Sequence, residues 1–413
     1  MEKENKKKHK EDPADTAARE WLEAQKELSP KRKIFDRVLL ISLALIILVF
    51  GVLIFALPSE DFSEEENRML APFPDFSVEA LVSGEFTDGI AKFYSDRFPA
   101  RNVFVGVKAF FEKIMLRIEN NGVIAGKDGY LIDRIEYTDK EYSTLETNLN
   151  AIDKFVGSMS ENGISTDVLL LPRSIDVMTS ALPVLFDSSR TDMVWEKAFM
   201  TYPDAITLTE MLRSHADEGE YVWYKTDHHY TTLGAYYVYL SLAESLGYTP
   251  YPLEYFTQES VPEEFFGTTY SSAGMKWAEG DEMILFRFED DENYVISYPD
   301  SAEESLKGFY ATSYFTQKDK YSAFLGGNRA RTRISLDDGS DRPTLLLIKD
   351  SFSHALAPFL ALHFDVELVD LRYYNKSVSK LALEMKPDHI LVVYGIDTIA
   401  TSSDARRIMM GVK

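Results

Sequence analysis

The feature that most limits how this chain folds is Val38 to Leu57, twenty residues without a charged side chain. As a helix with about 1.5 Å rise per residue, this run spans the roughly 30 Å hydrocarbon core of a bilayer. Basic side chains cluster just before the run and acidic ones just after it. Because positive charge favours the cytoplasmic side, we predict a single-pass anchor at residues 38–57 with everything after it outside the cell. A cleaved signal is the alternative, but Ala56-Leu57-Pro58 is no small-residue cleavage site.

Charge and cysteine content exclude several classes of function. Residues 1–37 hold 11 of the 44 basic and 9 of the 67 acidic residues, which predicts a disordered cytoplasmic tail. The remaining chain has a net charge near −25, so nucleic acid is not an expected partner. The absence of cysteine excludes disulfides and thiolate metal sites. No acyl-CoA site is recognisable, and we expect neither a cofactor nor a metal.

Short aliphatic runs separated by helical patterns indicate an α/β fold with a mainly parallel sheet. A helical stripe from Leu145 to Met159 ends near Asn162-Gly163, a pair typical of a helix stop. Uninterrupted apolar runs of four to six residues are typical of parallel strands that are buried on both faces. Four such runs occur, at 168–171, 345–348, 366–371 and 390–394.

The part outside the membrane divides by pattern into two segments. Residues 58–128 are predicted to form a helical segment beside the membrane. Within it, Phe86 to Asn120 is expected to form two helices with one buried face, broken at Phe98-Pro99. Residues 129–413 are predicted to form the main domain. The less regular stretch at about 248–331 is interpreted as an insertion that lies over its sheet.

Two short segments carry the residue types of a catalytic triad. Asp227 and His229 lie two positions apart, on one face of an extended segment, while His228 points away. Ser351 follows an aliphatic run at the carboxyl end of a predicted strand, where functional groups gather in parallel sheets. A helix is expected to begin at Ser351 and to favour negative charge there. We interpret Ser351 as the nucleophile, His229 as the base and Asp227 as the acid that orients it.

Plainer interpretations of the same residues stay open. The Asp227 segment can be a hydrogen-bonded loop before a helix capped by Thr232, and Ser351 can be a helix N-cap. His228 can be the base in place of His229. A metal site is a weaker alternative, since the seven histidines form no i,i+4 pair on a helix. Lys349 and Asp350 are expected in a solvated turn.

Several motifs in one order give the chain a family resemblance. The motifs are Glu66-Asn67-Arg68 with Leu70, Asp96 to Arg101, Gly126 to Gly129, Asp227-His228-His229, Tyr321 to Asn328, Lys349-Asp350-Ser351 and Asp370 to Tyr374. Together they resemble the DHHW family of bacterial surface proteins, relatives of the alginate O-acetylation proteins and of SGNH-type hydrolases and acyltransferases. The resemblance implies an SGNH-like three-layer fold. Where the family name has Trp, this chain has Tyr230.

The resemblance also implies a mechanism and site residues. Asp-x-His precedes the serine here, a permuted order that a triad defined by geometry permits. The Ser351 N–H is expected to support an oxyanion. Asn328 is either a further amide donor or, after Gly326-Gly327, a turn residue, which is the commoner reason for such a triplet. Arg372 is expected either to hold an acyl oxygen or an acidic sugar, or to pair with a surface carboxylate. Tyr230 and His228 are expected near the substrate.

The function predicted from these features is O-acetylation of a cell-wall or exported polysaccharide. The resemblance implies that a membrane-bound O-acyltransferase supplies the acyl group, which Ser351 then carries as an ester to a sugar hydroxyl. A carbohydrate esterase is the alternative with the same chemistry, in which water replaces the sugar. A noncatalytic polysaccharide-binding or assembly subunit is the alternative from another class, consistent with aromatics such as Tyr224, Tyr230, Tyr236 and Tyr237, although aromatics near a helix more often belong to a core.

Overall fold

The computed structural model describes residues 30–57, 62–63, 68–115, 117–184, 186, 192–336 and 338–411. Most of the predicted tail, and Glu66 and Asn67 of the first motif, lie outside the described residues. The chain divides into two compact units. One comprises Met1–Phe62 and Met69–Arg101, and the other comprises Ser63–Arg68 and Asn102–Lys413.

The first unit contains the apolar helix predicted from the sequence. Helix α1 spans Pro30–Ala56 and includes all but the last residue of the predicted 38–57 span. It is long and apolar enough to cross a membrane, a property that membrane anchors and signal sequences share. The short elements that follow are β1 (Phe62–Ser63), β2 (Arg68–Met69), α2 (Val78–Ser83) and α3 (Glu85–Asp96). The next helix starts at Arg101, so the break predicted at Phe98-Pro99 is confirmed.

The second unit alternates helices and strands along most of its length. Its helices are α4 (Arg101–Ile114), α5 (Asp139–Glu161), α6 (Ser174–Val177), α7 (Asp192–Thr201), α8 (Thr209–Asp217), α9 (Thr232–Leu246), α10 (Thr268–Ala273), α11 (Ser353–Leu360), α12 (Val378–Met385) and α13 (Ile396–Thr401). Its strands are β3 (Glu119–Asn120), β4 (Val123–Ala125), β5 (Leu131–Asp133), β6 (Ser165–Leu171), β7 (Ile206–Thr207), β8 (Thr257–Ser260), β9 (Ile284–Arg287), β10 (Tyr294–Ser297), β11 (Leu306–Lys307), β12 (Arg331–Leu336), β13 (Thr344–Lys349), β14 (Asp365–Asp370) and β15 (His389–Gly395).

One eight-stranded sheet organises this unit, in the order β11-β10-β12-β14-β13-β15-β6-β7. Strands β14, β13, β15, β6 and β7 are parallel neighbours, and β12, β10 and β11 pair antiparallel at one side. In the central register Leu347 lies opposite Leu368 and Leu391. The four aliphatic runs of the sequence all fall in parallel strands, which confirms the predicted sheet.

Helices cover both faces of the sheet, so the unit has three layers. Successive residues of a strand point to opposite faces, and β13 shows this directly. Leu345 and Leu347 join the core on the side of α9 and α11, whereas Leu346 and Ile348 join the core on the side of α5. Helix α5 ends at Glu161, beside the predicted Asn162-Gly163 stop. The fold class is therefore the predicted α/β class, with an apolar helix before it.

Two expectations about packing are wrong. Strands β10 and β11 lie within the predicted insertion, but they extend the main sheet at its edge and do not lie over it. Helix α4 was expected to bury one apolar face. Of its residues only Ala109 is buried, and Val103, Phe110 and Ile114 are each more than half exposed. The spacing of the apolar residues is helical, as predicted, but it does not show what the helix packs against.

Candidate active site

Ser351 lies at the carboxyl end of β13, in a two-residue turn before α11. The helix begins at Ser353, two residues later than expected, so Ser351 is not its N-cap. Asp350 fixes the turn, since its two oxygens accept hydrogen bonds from Phe352 N at 3.1 Å and Gly395 N at 2.8 Å. The expectation of a solvated turn at Asp350 is wrong, because that side chain is buried. Ser351 itself stays half-buried, so a substrate can reach it.

The structure brings together the three residues assigned to the triad. His229 Nε2 lies 2.8 Å from Ser351 Oγ, and His229 Nδ1 lies 2.5 Å from Asp227 Oδ1. An ionised carboxylate only accepts hydrogen bonds, so Nδ1 carries the imidazole proton. Nε2 is then free to accept the Ser351 proton. This is the hydrogen-bond order that a nucleophile, a base and an orienting acid require.

Asp227 is buried but held in its charged form. Burial alone would raise its pKa, but His229, His228 and several hydrogen bonds outweigh burial and hold the pKa well below its usual range. Its Oδ2 accepts from Thr268 N at 2.8 Å and from Thr268 Oγ1 at 3.1 Å. Gly267 permits this approach, because a Cβ there would lie 2.2 Å from the Cβ of Asp227. The carboxylate therefore presents Oδ1 to His229 in one fixed orientation.

A second buried carboxylate, Asp281, holds the segment just before Asp227. It accepts from Lys225 N at 2.7 Å and Thr226 N at 2.8 Å, and also from the hydroxyls of Thr226 and Tyr221. The helix that follows is capped by Thr231, whose side chain accepts from Gly234 N, and not by Thr232 as expected. Asp281 lies more than fifty residues away along the chain, so no local pattern predicts its role.

Aromatic rings fix the plane of the His229 imidazole. Tyr321 stacks on it with a centroid separation of 3.9 Å and an interplanar angle of 6°. Phe352 meets the imidazole edge-on, with its centroid 4.9 Å away. The Tyr321 hydroxyl also donates to the Ser351 carbonyl at 3.3 Å, so one side chain touches both the base and the serine turn. Tyr321 begins the motif Tyr321 to Asn328, but the sequence alone predicts no role for its side chain.

His228 lies beside the triad without joining it. Its Nδ1 is 2.6 Å from Thr268 Oγ1 and 3.8 Å from Asp227 Oδ1. Its side chain is 41 % exposed, against 6 % for His229. Burial of its surroundings and the neighbouring His229 lower the pKa of His228, which favours a neutral ring at the mouth of the site. This position leaves His228 able to contact a substrate.

Tyr230 does not face a substrate, which corrects the expectation. Its side chain is fully buried, and its hydroxyl donates to the Phe352 carbonyl at 2.7 Å. The ring packs against Phe352 and Trp223. Tyr230 therefore supports the turn that carries Ser351 from below. Tyr224 and Tyr236 are buried as well, so they offer no platform for a sugar.

A buried polar network lies on the other side of the serine turn. Lys349 was expected in a solvated turn, but it is buried, with its Nζ 3.0 Å from Asp370 Oδ2 and 2.6 Å from His354 Nε2. Burial, together with the nearby cations Lys349 and Arg372, lowers the pKa of His354, so its neutral ring accepts from the ammonium group. Burial opposes the charge of Asp370, but Lys349 and Arg372 lower its pKa overall.

Arg372 completes this network and reaches Asn328. Its guanidinium binds both oxygens of Asp370, at 2.9 and 2.6 Å. It also donates to Asn328 Oδ1 at 2.9 Å, which leaves the Asn328 amide nitrogen as a donor. The carboxylate that pairs with Arg372 is therefore the buried Asp370 and not a surface carboxylate. Arg372 and Asn328 are both half-buried, and among the described residues neither forms a hydrogen bond with Ser351.

Two further observations concern charge and metal binding at this site. Burial raises the pKa of Asp133, at the end of β5, to about 6, although Thr269 donates to it at 2.6 Å and His228 opposes the rise. Asp227, His228 and His229 offer ligand atoms within 4.8 Å of one another. Both ring nitrogens of His229 already make hydrogen bonds, so a metal would have to displace Ser351 or Asp227.

Comparisons with known proteins give one family match and several structures of similar fold. The DHHW protein family matches residues 188–369, which contain Asp227, His229 and Ser351. A DHHW family protein from Eubacterium siraeum DSM 15702 has a similar structure, with 20% identity and a TM-score of 0.58 over 71% of this chain and 96% of that one. PatB1 from Bacillus cereus, solved with a sulfonyl adduct, has 19% identity and a TM-score of 0.56 over 69% and 97%.

A more distant structure is the O-acetyltransferase domain of AlgJ from Pseudomonas putida, with 15% identity and a TM-score of 0.44 over 68% of this chain and 94% of that one. No curated protein matches the chain in sequence. The family resemblance stated from the motifs is thus confirmed: residues 188–369 match the DHHW protein family, and the fold around them is one that a DHHW protein shares.

Proposed function

We propose that this chain is a membrane-anchored O-acetyltransferase that modifies a polysaccharide outside the cell. The observation that carries the proposal is the hydrogen-bonded series Asp227, His229 and Ser351, with the serine half-exposed at the carboxyl end of a parallel strand. The polysaccharide class follows from the DHHW resemblance. In this proposal α1 is the anchor, the N-terminus is cytoplasmic, and a membrane-bound O-acyltransferase supplies the acyl group.

The first half of the reaction loads Ser351. Its Oγ attacks the carbonyl carbon of an acyl donor while its proton passes to His229 Nε2. Asp227 stabilises the imidazolium that forms. The Ser351 N–H meets no acceptor among the described residues, and the Asn328 amide is a second donor, so we assign both to the developing oxyanion. The carbon–oxygen bond to the leaving group breaks, the leaving oxygen takes the proton from His229, and an acyl-serine ester remains.

The second half unloads the ester. His229 removes the proton from a sugar hydroxyl, whose oxygen attacks the ester carbonyl. The bond to Ser351 Oγ then breaks, and the serine recovers its proton from His229. We assign His228 and Arg372 to sugar binding, since both side chains stay partly exposed, His228 beside Asp227 and Arg372 just after the strand next to β13. Water in place of the sugar would make the same site an esterase.

The test compares Ser351→Ala with a matched control, Ser353→Ala, in the full-length protein in detergent. Ser353 lies two residues further on, and its buried hydroxyl meets no hydrogen-bond partner among the described residues, so removing it should leave activity unchanged. We expect hydrolysis of an aryl acetate to be lost in Ser351→Ala only. Equal activity in both variants would rule out Ser351 as the nucleophile.

Transfer is separated from hydrolysis by the product. With an aryl acetate and oligosaccharides as acceptors, we expect acetylated sugar to form at the expense of free acetate. Free acetate alone, at a rate that no sugar changes, would favour the esterase. No turnover of any acyl ester by the wild type, together with binding of the sugars, would favour the noncatalytic subunit.

A further inference from the structure

Helix α4 exposes an apolar stripe that no described residue of the second unit covers. Val103, Val107, Phe110 and Ile114 recur at helical spacing, and all four are exposed, at 46 to 63 %. Phe111 and Met115 widen the stripe and are exposed as well. A folded domain rarely leaves a contiguous row of large apolar side chains in water, so a row like this marks an interaction surface.

Trp277 extends the stripe sideways. It lines a shallow groove together with Val103, Gly106, Val107 and Phe110, and 37 % of its surface is exposed. The ammonium group of Lys113 lies 4.4 Å from the centre of its ring. A half-exposed tryptophan beside a lysine is typical of the boundary between headgroups and acyl chains, where an apolar ring meets charged groups.

The charge of this helix differs in sign from the charge of the chain. Helix α4 carries Arg101, Lys108 and Lys113 against one acidic residue, Glu112, a net charge of +2, whereas the whole chain has −23. The two lysines are long enough to lie along the apolar stripe and keep their ammonium groups in water. A basic apolar helix is complementary to an anionic lipid surface, whereas a two-fold pairing of α4 with its own copy would bring like charges together.

We propose that the α4 surface, formed by Val103, Val107, Phe110, Ile114 and Trp277, docks on the bilayer that holds α1, in contact with anionic lipid headgroups. The apolar side chains enter the acyl boundary, and Lys108 and Lys113 face the headgroups. This proposal uses the anchor of the proposed function, but it needs neither the triad nor acyl transfer. Docking would hold the second unit at the membrane, which is where a membrane-bound donor presents its acyl group.

The absence of cysteine allows a direct test with one label per molecule. Phe110→Cys places a nitroxide on the stripe, and Met200→Cys places one on α7, where Met200 is 81 % exposed. The full chain is reconstituted in nanodiscs of phosphatidylglycerol or of phosphatidylcholine. In phosphatidylglycerol, we expect the Phe110 label to collide more often with oxygen, and less often with a water-soluble nickel complex, than it does in phosphatidylcholine. The Met200 label should stay accessible to nickel in both lipids.

Three outcomes would overturn the proposal. Nickel accessibility at Phe110 equal to that at Met200 would place the stripe in water. A Phe110 label shielded from oxygen and nickel alike, in detergent as in nanodiscs, would mean that protein covers the stripe. Equal burial of the Phe110 label in phosphatidylglycerol and phosphatidylcholine, unchanged in the double variant Lys108→Glu/Lys113→Glu, would show that anionic headgroups do not bind this surface. A second label at Val107 repeats the test if Phe110→Cys fails to fold.

Discussion

Replacing Asp227 with asparagine separates a catalytic triad from a hydrogen-bonded loop. In the wild type Oδ1 accepts from His229 Nδ1 and Oδ2 accepts from Thr268. Asparagine has one acceptor oxygen and one donor nitrogen at these two places. His229 N also donates to Oδ1, at 3.1 Å, but Thr268 N donates to Oδ2 at the shorter distance of 2.8 Å and the Thr268 hydroxyl donates there too, so the oxygen stays with Thr268 and the amide nitrogen turns toward His229. Nδ1 must then accept, and the proton moves to Nε2, where it blocks transfer from Ser351.

The expected loss is large in activity and small in stability. A wrong tautomer in a serine triad lowers kcat about 10⁴-fold, equivalent to about 5.4 kcal/mol in the activation free energy. The free energy of unfolding should fall by only about 1.5 to 3 kcal/mol, the range for one charge-assisted hydrogen bond. Hydrolysis of an aryl acetate and thermal unfolding, measured on the same preparation of full-length protein, give both quantities.

A matched control is Asp291→Asn, which removes another buried carboxylate. Asp291 forms its ion pair with Arg287 and not with a triad residue. We expect it to lower stability to a similar extent and to keep activity. If Asp227→Asn melts like this control and turns over at close to the wild-type rate, Asp227 is a loop cap and the tautomer argument is refuted.

Three other changes follow from the same contacts. Gly267→Ala should abolish soluble, active protein, because its Cβ would lie 2.2 Å from the Cβ of Asp227, and wild-type expression and activity would refute the close packing. Tyr230→Phe removes the hydroxyl that holds the Phe352 carbonyl, so we expect about 1 kcal/mol less stability and slower turnover, and an unchanged melting temperature would contradict it. Because burial raises the pKa of Asp133 to about 6, the folded protein keeps a proton that the unfolded chain releases above about pH 4. Stability should therefore fall between about pH 4 and 6, and denaturant unfolding of Asp133→Asn should show that fall reduced.

The sequence predicts the sheet and the triad residues because their signals are local. Four of the five parallel strands contain a short aliphatic run, and Ser351 follows one of them. Asp227 and His229 share a face because they lie two positions apart. These arguments need only the periodicity of a strand and the chemistry of side chains a few residues apart.

The predictions that are wrong or missing concern burial and hydrogen bonding, which depend on contacts between segments far apart in the sequence. Lys349 is charged and ends strand β13, but it is buried because Asp370 on the neighbouring strand binds its ammonium group. Tyr230 is aromatic and next to the triad, but Phe352 covers it. Asp281 fixes the Asp227 loop from more than fifty residues away. Helical spacing on α4 indicates an apolar face and does not tell a core from a membrane surface.

The most direct test of the central claim is covalent labelling of the serine. The wild type and the variants His229→Gln and His228→Gln are treated with an aryl sulfonyl fluoride, and the modified peptide is identified by mass spectrometry. Ser351 Oγ displaces fluoride only if a base removes its proton, so we predict a sulfonyl group on Ser351, slow labelling in His229→Gln and near-normal labelling in His228→Gln. A sulfonyl group on another residue, or His229→Gln labelled as fast as the wild type, would contradict the assignment of Ser351 and His229 as nucleophile and base.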